Sequence, residues 1–130
     1  MRMTLGIVMV GFAALCVGTQ VAAHHAFSSE YDEEKVVTMT GTVTQVEWTN
    51  PHARFFVEVI AEDKTVASWS FELASPNSLT RSGWGRRTLS VGDTVTVTGF
   101  AAMSGKNMAS TRSVTLADGS SLFSGTQGVQ

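Results

Sequence analysis

Three histidines carry most of the chemistry this sequence offers, and their positions matter more than their number. His24 and His25 follow directly on Val21-Ala22-Ala23, small residues of the kind after which signal peptides are cut. His52 stands apart, in a Trp48-Thr49-Asn50-Pro51-His52 turn. A neutral imidazole is a common ligand for copper, zinc and nickel. Cleavage after Ala23 would expose His24 with a free α-amine, whose ordinary pKa of about 8 lets a metal displace its proton. The amine and Nδ1 of that one residue form a chelate, and His25 or His52 would complete a planar or T-shaped nitrogen set. Nitrogen-rich tetragonal sites favour Cu(II), which also heads the affinity order of the divalent ions. The expected metal ligands are therefore His24, His25 and His52, and the expected cofactor is copper. Cleavage after Ala22 instead would put His25 third in the chain, an arrangement that binds Cu(II) and Ni(II) through backbone nitrogens.

A structural reading stands beside the metal one. A terminal histidine pair can be idle, and His52 can serve only to hydrogen-bond the backbone of its turn. Met39, Met103 and Met108 are soft atoms suited to Cu(I), although Met39 falls on the apolar phase of a strand pattern and reads as core. Glu47 and Asn50 are placed to orient an imidazole from behind.

Outside the histidines, three tryptophans are many for this length. Trp69 alternates with Phe71 and reads as core. Trp48 and Trp84 flank turns, and with Asn50 they are the candidate lining of a shallow ligand site, since stacking on a β face is one way small barrels hold sugars and bases. No nucleophile elbow, phosphate loop or cysteine nucleophile is present, and nothing in the sequence pairs Glu47 with Glu72 as catalytic carboxylates. The expectation is a binding protein and not an enzyme.

These residues need a compartment and a scaffold. Arg2, the apolar run Leu5–Val17 and the small residues up to Ala23 make a secretory leader. That run of 13 residues is shorter than the roughly 20 a bilayer span needs, so a removed peptide over 1–23 is expected, with no membrane anchor after processing. The expected location is the periplasm. Cys16, the one cysteine, would leave with the leader, so no disulfide holds the mature chain. Loss of Arg2 takes the net charge from −2 to −3, which speaks against a nucleic-acid partner.

The remaining 107 residues suit one domain. Residues 24–35 are charged and poor in aliphatics, and read as an extended arm anchored by Phe27 and Tyr31. From Val37 the period becomes two, the strand period. Val37, Met39, Gly41 and Val43 share one phase, while Val46 and Trp48 share the other, which predicts a bulge near Thr44-Gln45 in a long, bent first strand. Arg54–Ile60 and Thr65–Leu73 make two more strands. Ser75-Pro76 opens a short helix that Gly83 ends, with Leu79 as its buried residue. Thr94–Phe100 and Ser110–Leu116 follow as strands, then an Asp118-Gly119 turn and a short return at Leu122-Phe123. Three strands, one short helix and two strands is the order of the OB-fold, a five-stranded Greek-key barrel. That all-β domain is expected over 36–123, with a flexible tail at 124–130.

Taken together, several motifs resemble a family of small exported bacterial proteins that carries only a domain-of-unknown-function label. They are His24-His25-Ala26-Phe27, Trp48-Thr-Asn-Pro-His-Ala53, Ser75-Pro-Asn-Ser-Leu-Thr-Arg-Ser-Gly-Trp84 and Gly92-Asp-Thr-Val-Thr-Val-Thr-Gly99. The resemblance implies a single periplasmic OB-like domain and brings no activity with it. Ala26 stands where serine is expected. The function anticipated from the residues is a periplasmic copper carrier or sensor. The alternative is an accessory module that recognises a periplasmic protein or a small molecule on its barrel face.

Overall fold

The computed structural model describes residues 26–124. Residues 26–30 form a helical turn, α1. The strands are β1 (Tyr31–Glu47), β2 (Arg54–Ile60), β3 (Val66–Glu72), β4 (Thr94–Ala102), β5 (Met108–Leu116) and β6 (Ser121–Phe123), and helix α2 (Pro76–Arg81) lies between β3 and β4. The strands are hydrogen-bonded in the order β3-β2-β1-β4-β5-β6, and a further parallel contact between β3 and β5 closes them into a ring. All other pairings are antiparallel. The chain is β-rich as anticipated, but the described residues hold six strands where five were expected, because Ser121–Phe123 pairs with β5 as a strand of its own.

The first strand is longer than its apolar alternation suggests. It begins at Tyr31, so residues 26–35 of the expected extended arm are a helical turn followed by strand. Asp32 to Lys35 hide this from a periodicity argument, since they bulge from the ladder between Tyr31↔Ala102 and Val36↔Phe100 and need no apolar side chains. The second irregularity lies where the phase change put it, between Val43 and Gln45. It lets β1 serve β4 with its first half and β2 with its second. Gly41 sits at the crossover, where a Cβ would strike the backbone of Glu58 and the side chain of Val57. Only glycine allows the strands to approach there.

Inside the ring, Val43, Phe55, Val57, Phe71, Leu73, Val95, Val97 and Val114 form the core. Phe55 stacks on Phe71 with ring centroids 5.3 Å apart, and Trp69 extends the stack at 6.2 Å. Helix α2 closes one side. Ser75 caps it by accepting from Ser78 N at 3.3 Å, Pro76 occupies its first turn, and Leu79 is fully buried. Gly83, at φ +93°, ends the segment and turns Trp84 inward.

Candidate functional site

The β1–β2 turn holds the one described candidate metal ligand. Trp48 lies just past the end of β1, half-buried against the core. The chain then passes through a cis Asn50-Pro51 bond, and Asn50, Pro51 and His52 are all exposed. Ala53 next to them is fully buried, and its N donates to Ala74 O at 3.0 Å while its O accepts from Leu73 N at 2.8 Å. The turn is thus fixed at its inner end and presents the imidazole outward. His24 and His25 lie outside the described residues. Among the described residues, no three His, Cys, Asp or Glu side chains come together as a metal-holding group.

Sequence reasoning missed the polar cluster beside this turn. Register places Glu47, Arg54 and Glu72 in one row across β1, β2 and β3, on the outer face of the sheet. Arg54 Nη2 donates to Glu72 Oε2 at 3.1 Å, the one ion pair among the described residues. The same oxygen accepts from Tyr31 Oη at 3.0 Å. Tyr31 is 2% exposed. Burial, then the adjacent Glu72 carboxylate, pushes its phenol well above the ordinary value. Glu47 instead accepts from Gln45 Nε2 at 2.9 Å. No spacing rule would have found this cluster, because Tyr31 and Glu72 are 41 residues apart.

Tyr31 is the centre of a second, smaller apolar cluster outside the ring. Phe27 packs on it at 5.4 Å and meets Phe100 edge-on at 6.1 Å, with Ala102 and Met108 alongside. Arg112 covers the other side of Phe100, its guanidinium carbon 5.3 Å from the ring centre. Phe27 and Tyr31 therefore anchor the N-terminal segment over the ends of β4 and β5. Glu72 links that anchor to Arg54, two residues beyond His52. Met108 is packing material here, Met39 packs against the main core, and Met103 is exposed.

The two tryptophans singled out from the sequence do meet around one feature. Trp48 and Trp84 line a shallow surface depression with Val46, Leu73, Leu89 and Arg86. Trp84 is nearly fully buried and donates from Nε1 to Phe123 O at 3.0 Å, so its ring is a fixed wall. Asn50 is exposed and is not part of this lining. Arg81, Arg86 and Arg87 are exposed around this side, and none is in an ion pair with the described acidic residues of the N-terminal segment. The lining of the depression is apolar apart from the exposed Arg86.

Residues 13–111 match the model of a protein family described as one of unknown function. No curated protein matches the chain.

Proposed function

The chain belongs to DUF6152, a family of unknown function, and from that premise we propose that it is an exported protein that binds copper through a processed histidine terminus and His52. The reading places it in the periplasm, with a leader over 1–23 that lies outside the described residues. Its role there is that of a carrier or sensor and not of an enzyme. The ring is read as an OB-like Greek key. The short helix between β3 and β4, with β1 between β2 and β4 and β3 beside β5, supports that assignment.

One observation carries the metal reading. The Tyr31–Glu72–Arg54 contact pins the segment that leads back to His25 to the same end of the ring as the β1–β2 turn. From Phe27, two or three residues at up to about 3.3–3.6 Å each set the reach that such a terminus would need to use. A chelate from His24 would then need one more nitrogen, and His52 is exposed to supply it.

The test begins with the intact mass of the exported protein, which fixes its first residue. Calorimetric titration with Cu(II) then compares that protein with His52→Ala. A site spanning both segments loses about tenfold or more in affinity, or about 1.4 kcal/mol, on that substitution. Equal affinity for both proteins confines any copper to the terminus, and a mature protein indifferent to micromolar copper ends the proposal.

A second reading rests on the depression between Trp48 and Trp84. An accessory module would use it to hold an apolar group of a periplasmic protein or a small molecule. Trp48→Ala would abolish such binding and leave copper affinity unchanged.

A further inference from the structure

Strand β3 has one satisfied edge and one half-open edge. On one side it pairs with β2 along its whole length, from Val66↔Ile60 to Glu72↔Arg54. On the other it meets β5 only at Ser70, Phe71 and Glu72. Successive backbone groups of a strand point to opposite neighbours, and three bonds fix the phase. Ala61 N donates to Thr65 O at 2.9 Å and Leu73 N to Ala53 O at 2.8 Å, so the odd-numbered residues of β3 face β2. Ser70 N donates to Asn107 O at 3.0 Å, so the even-numbered ones face away from it. Val66 and Ser68 therefore direct their N–H and C=O groups to a side where no described strand pairs with them.

Sheet edges are normally blunted by charge, proline or a bulge. Val66-Ala67-Ser68-Trp69-Ser70 has neither charge nor proline, and its register with β2 is unbroken. Val66 and its cross-strand neighbour Ile60 are 57% and 67% exposed, so an apolar pair stands beside the open backbone groups. The outer side of β6 differs, because Trp84 Nε1 already occupies Phe123 O there.

Charge selects the occupant. Just before the open stretch lies the exposed Glu62-Asp63-Lys64 turn, of net charge −1, and just beyond it lies exposed Lys106, next to Asn107. The Thr65 hydroxyl and then its N–H hold Asp63 below the usual carboxylate range, so its charge is fixed at neutral pH. A second copy laid antiparallel across a two-fold axis sets its acidic turn against this Lys106 and its Lys106 against this turn. Both contacts repeat by symmetry, and the arrangement closes on itself.

We propose that the protein forms a homodimer through antiparallel pairing of β3 with β3 of a second copy, centred on Val66 to Ser68. The surface is distinct from the His52 turn and stands whether or not copper binds. Light scattering on the exported protein, purified after expression of the full chain, tests it over a range of concentrations. The wild type should be dimeric and should dissociate on dilution. Ser68→Pro removes one outward N–H, leaves every bond to β2 in place, and should give a monomer whose unfolding midpoint matches that of the diluted, dissociated wild type. Val66→Lys, which keeps the backbone intact, should do the same and carries the test if the proline variant fails to fold. Lys106→Glu should weaken the dimer by about threefold to tenfold. A wild type that is monomeric throughout, a dimer indifferent to both β3 variants, or assemblies that keep growing with concentration would each overturn the proposal.

Discussion

Tyr31 donates a hydrogen bond to Glu72 at 3.0 Å and so joins the first residue of β1 to the last residue of β3. The bond is made outside the ring, on a carboxylate already paired with Arg54. It is the polar half of a clasp whose apolar half is Phe27 on Tyr31 and Phe100. Loss of either half frees the segment that precedes β1 while leaving the main core untouched.

Tyr31→Phe keeps the ring and removes the bond. A hydrogen bond to a charged acceptor contributes about 1.5–3 kcal/mol, so urea unfolding should show a loss of that order. The pH dependence is equally specific. Folding raises the Tyr31 pKa above its ordinary 10.0, so the native state holds the proton more tightly than the unfolded chain does. The stability that follows is complete below pH 10 and is lost as pH climbs above it. Because this is the chain's one tyrosine, tyrosinate absorbance reports it alone. Absorbance should stay flat through the ordinary range and rise together with unfolding. A midpoint at the ordinary value in the folded protein would refute the buried clasp.

Gly99 should tolerate no side chain. A Cβ there would strike the carbonyl of Ser110 on the neighbouring strand, at the register shift between β4 and β5. Gly99→Ala should cost about 1–3 kcal/mol in urea unfolding, through strain in the ladder. Gly85→Ala is the control. Nothing closer than Thr88 Oγ1 at 4.0 Å meets its Cβ, so stability should move by no more than about 0.5 kcal/mol.

Trp84→Phe preserves most of the apolar wall and deletes the donor to Phe123 O. The expected cost is about 1 kcal/mol, concentrated at the end of the chain. Hydrogen exchange locates it. The amide of Ser124, bonded to Arg112 O at 3.1 Å, should exchange faster, while the β2–β3 amides keep their protection. Uniform loss of protection would mean that Trp84 acts through the core and not through β6.

The placing of Phe55, Val57 and Val59 on one face marked β2 to its correct ends, Arg54 and Ile60. The phase change between Val43 and Val46 marked the bulge, and Ser75-Pro76 marked the start of α2. All three are local signals, set by side-chain period and capping chemistry over a few residues. The shared depression of Trp48 and Trp84 was anticipated as a shallow site lined by these two aromatics together with Asn50, which is not part of its lining. Leu73, just past the end of β3, and Leu89, in the loop before β4, share that lining.

By itself the sequence determined the middle of each long strand, the bend near Thr44-Gln45 and the apolar face of β2, because these follow from interactions spanning a handful of residues. Only the tertiary structure decided that Asp32 to Lys35 bulge within a strand, that β3 closes the ring on β5, and that Glu72 serves Tyr31 and Arg54 together. Those contacts join residues far apart in the chain, and no local preference encodes them. They form because the ring, once closed, brings β3, β5 and the start of β1 to one end, where a buried phenol must find an acceptor.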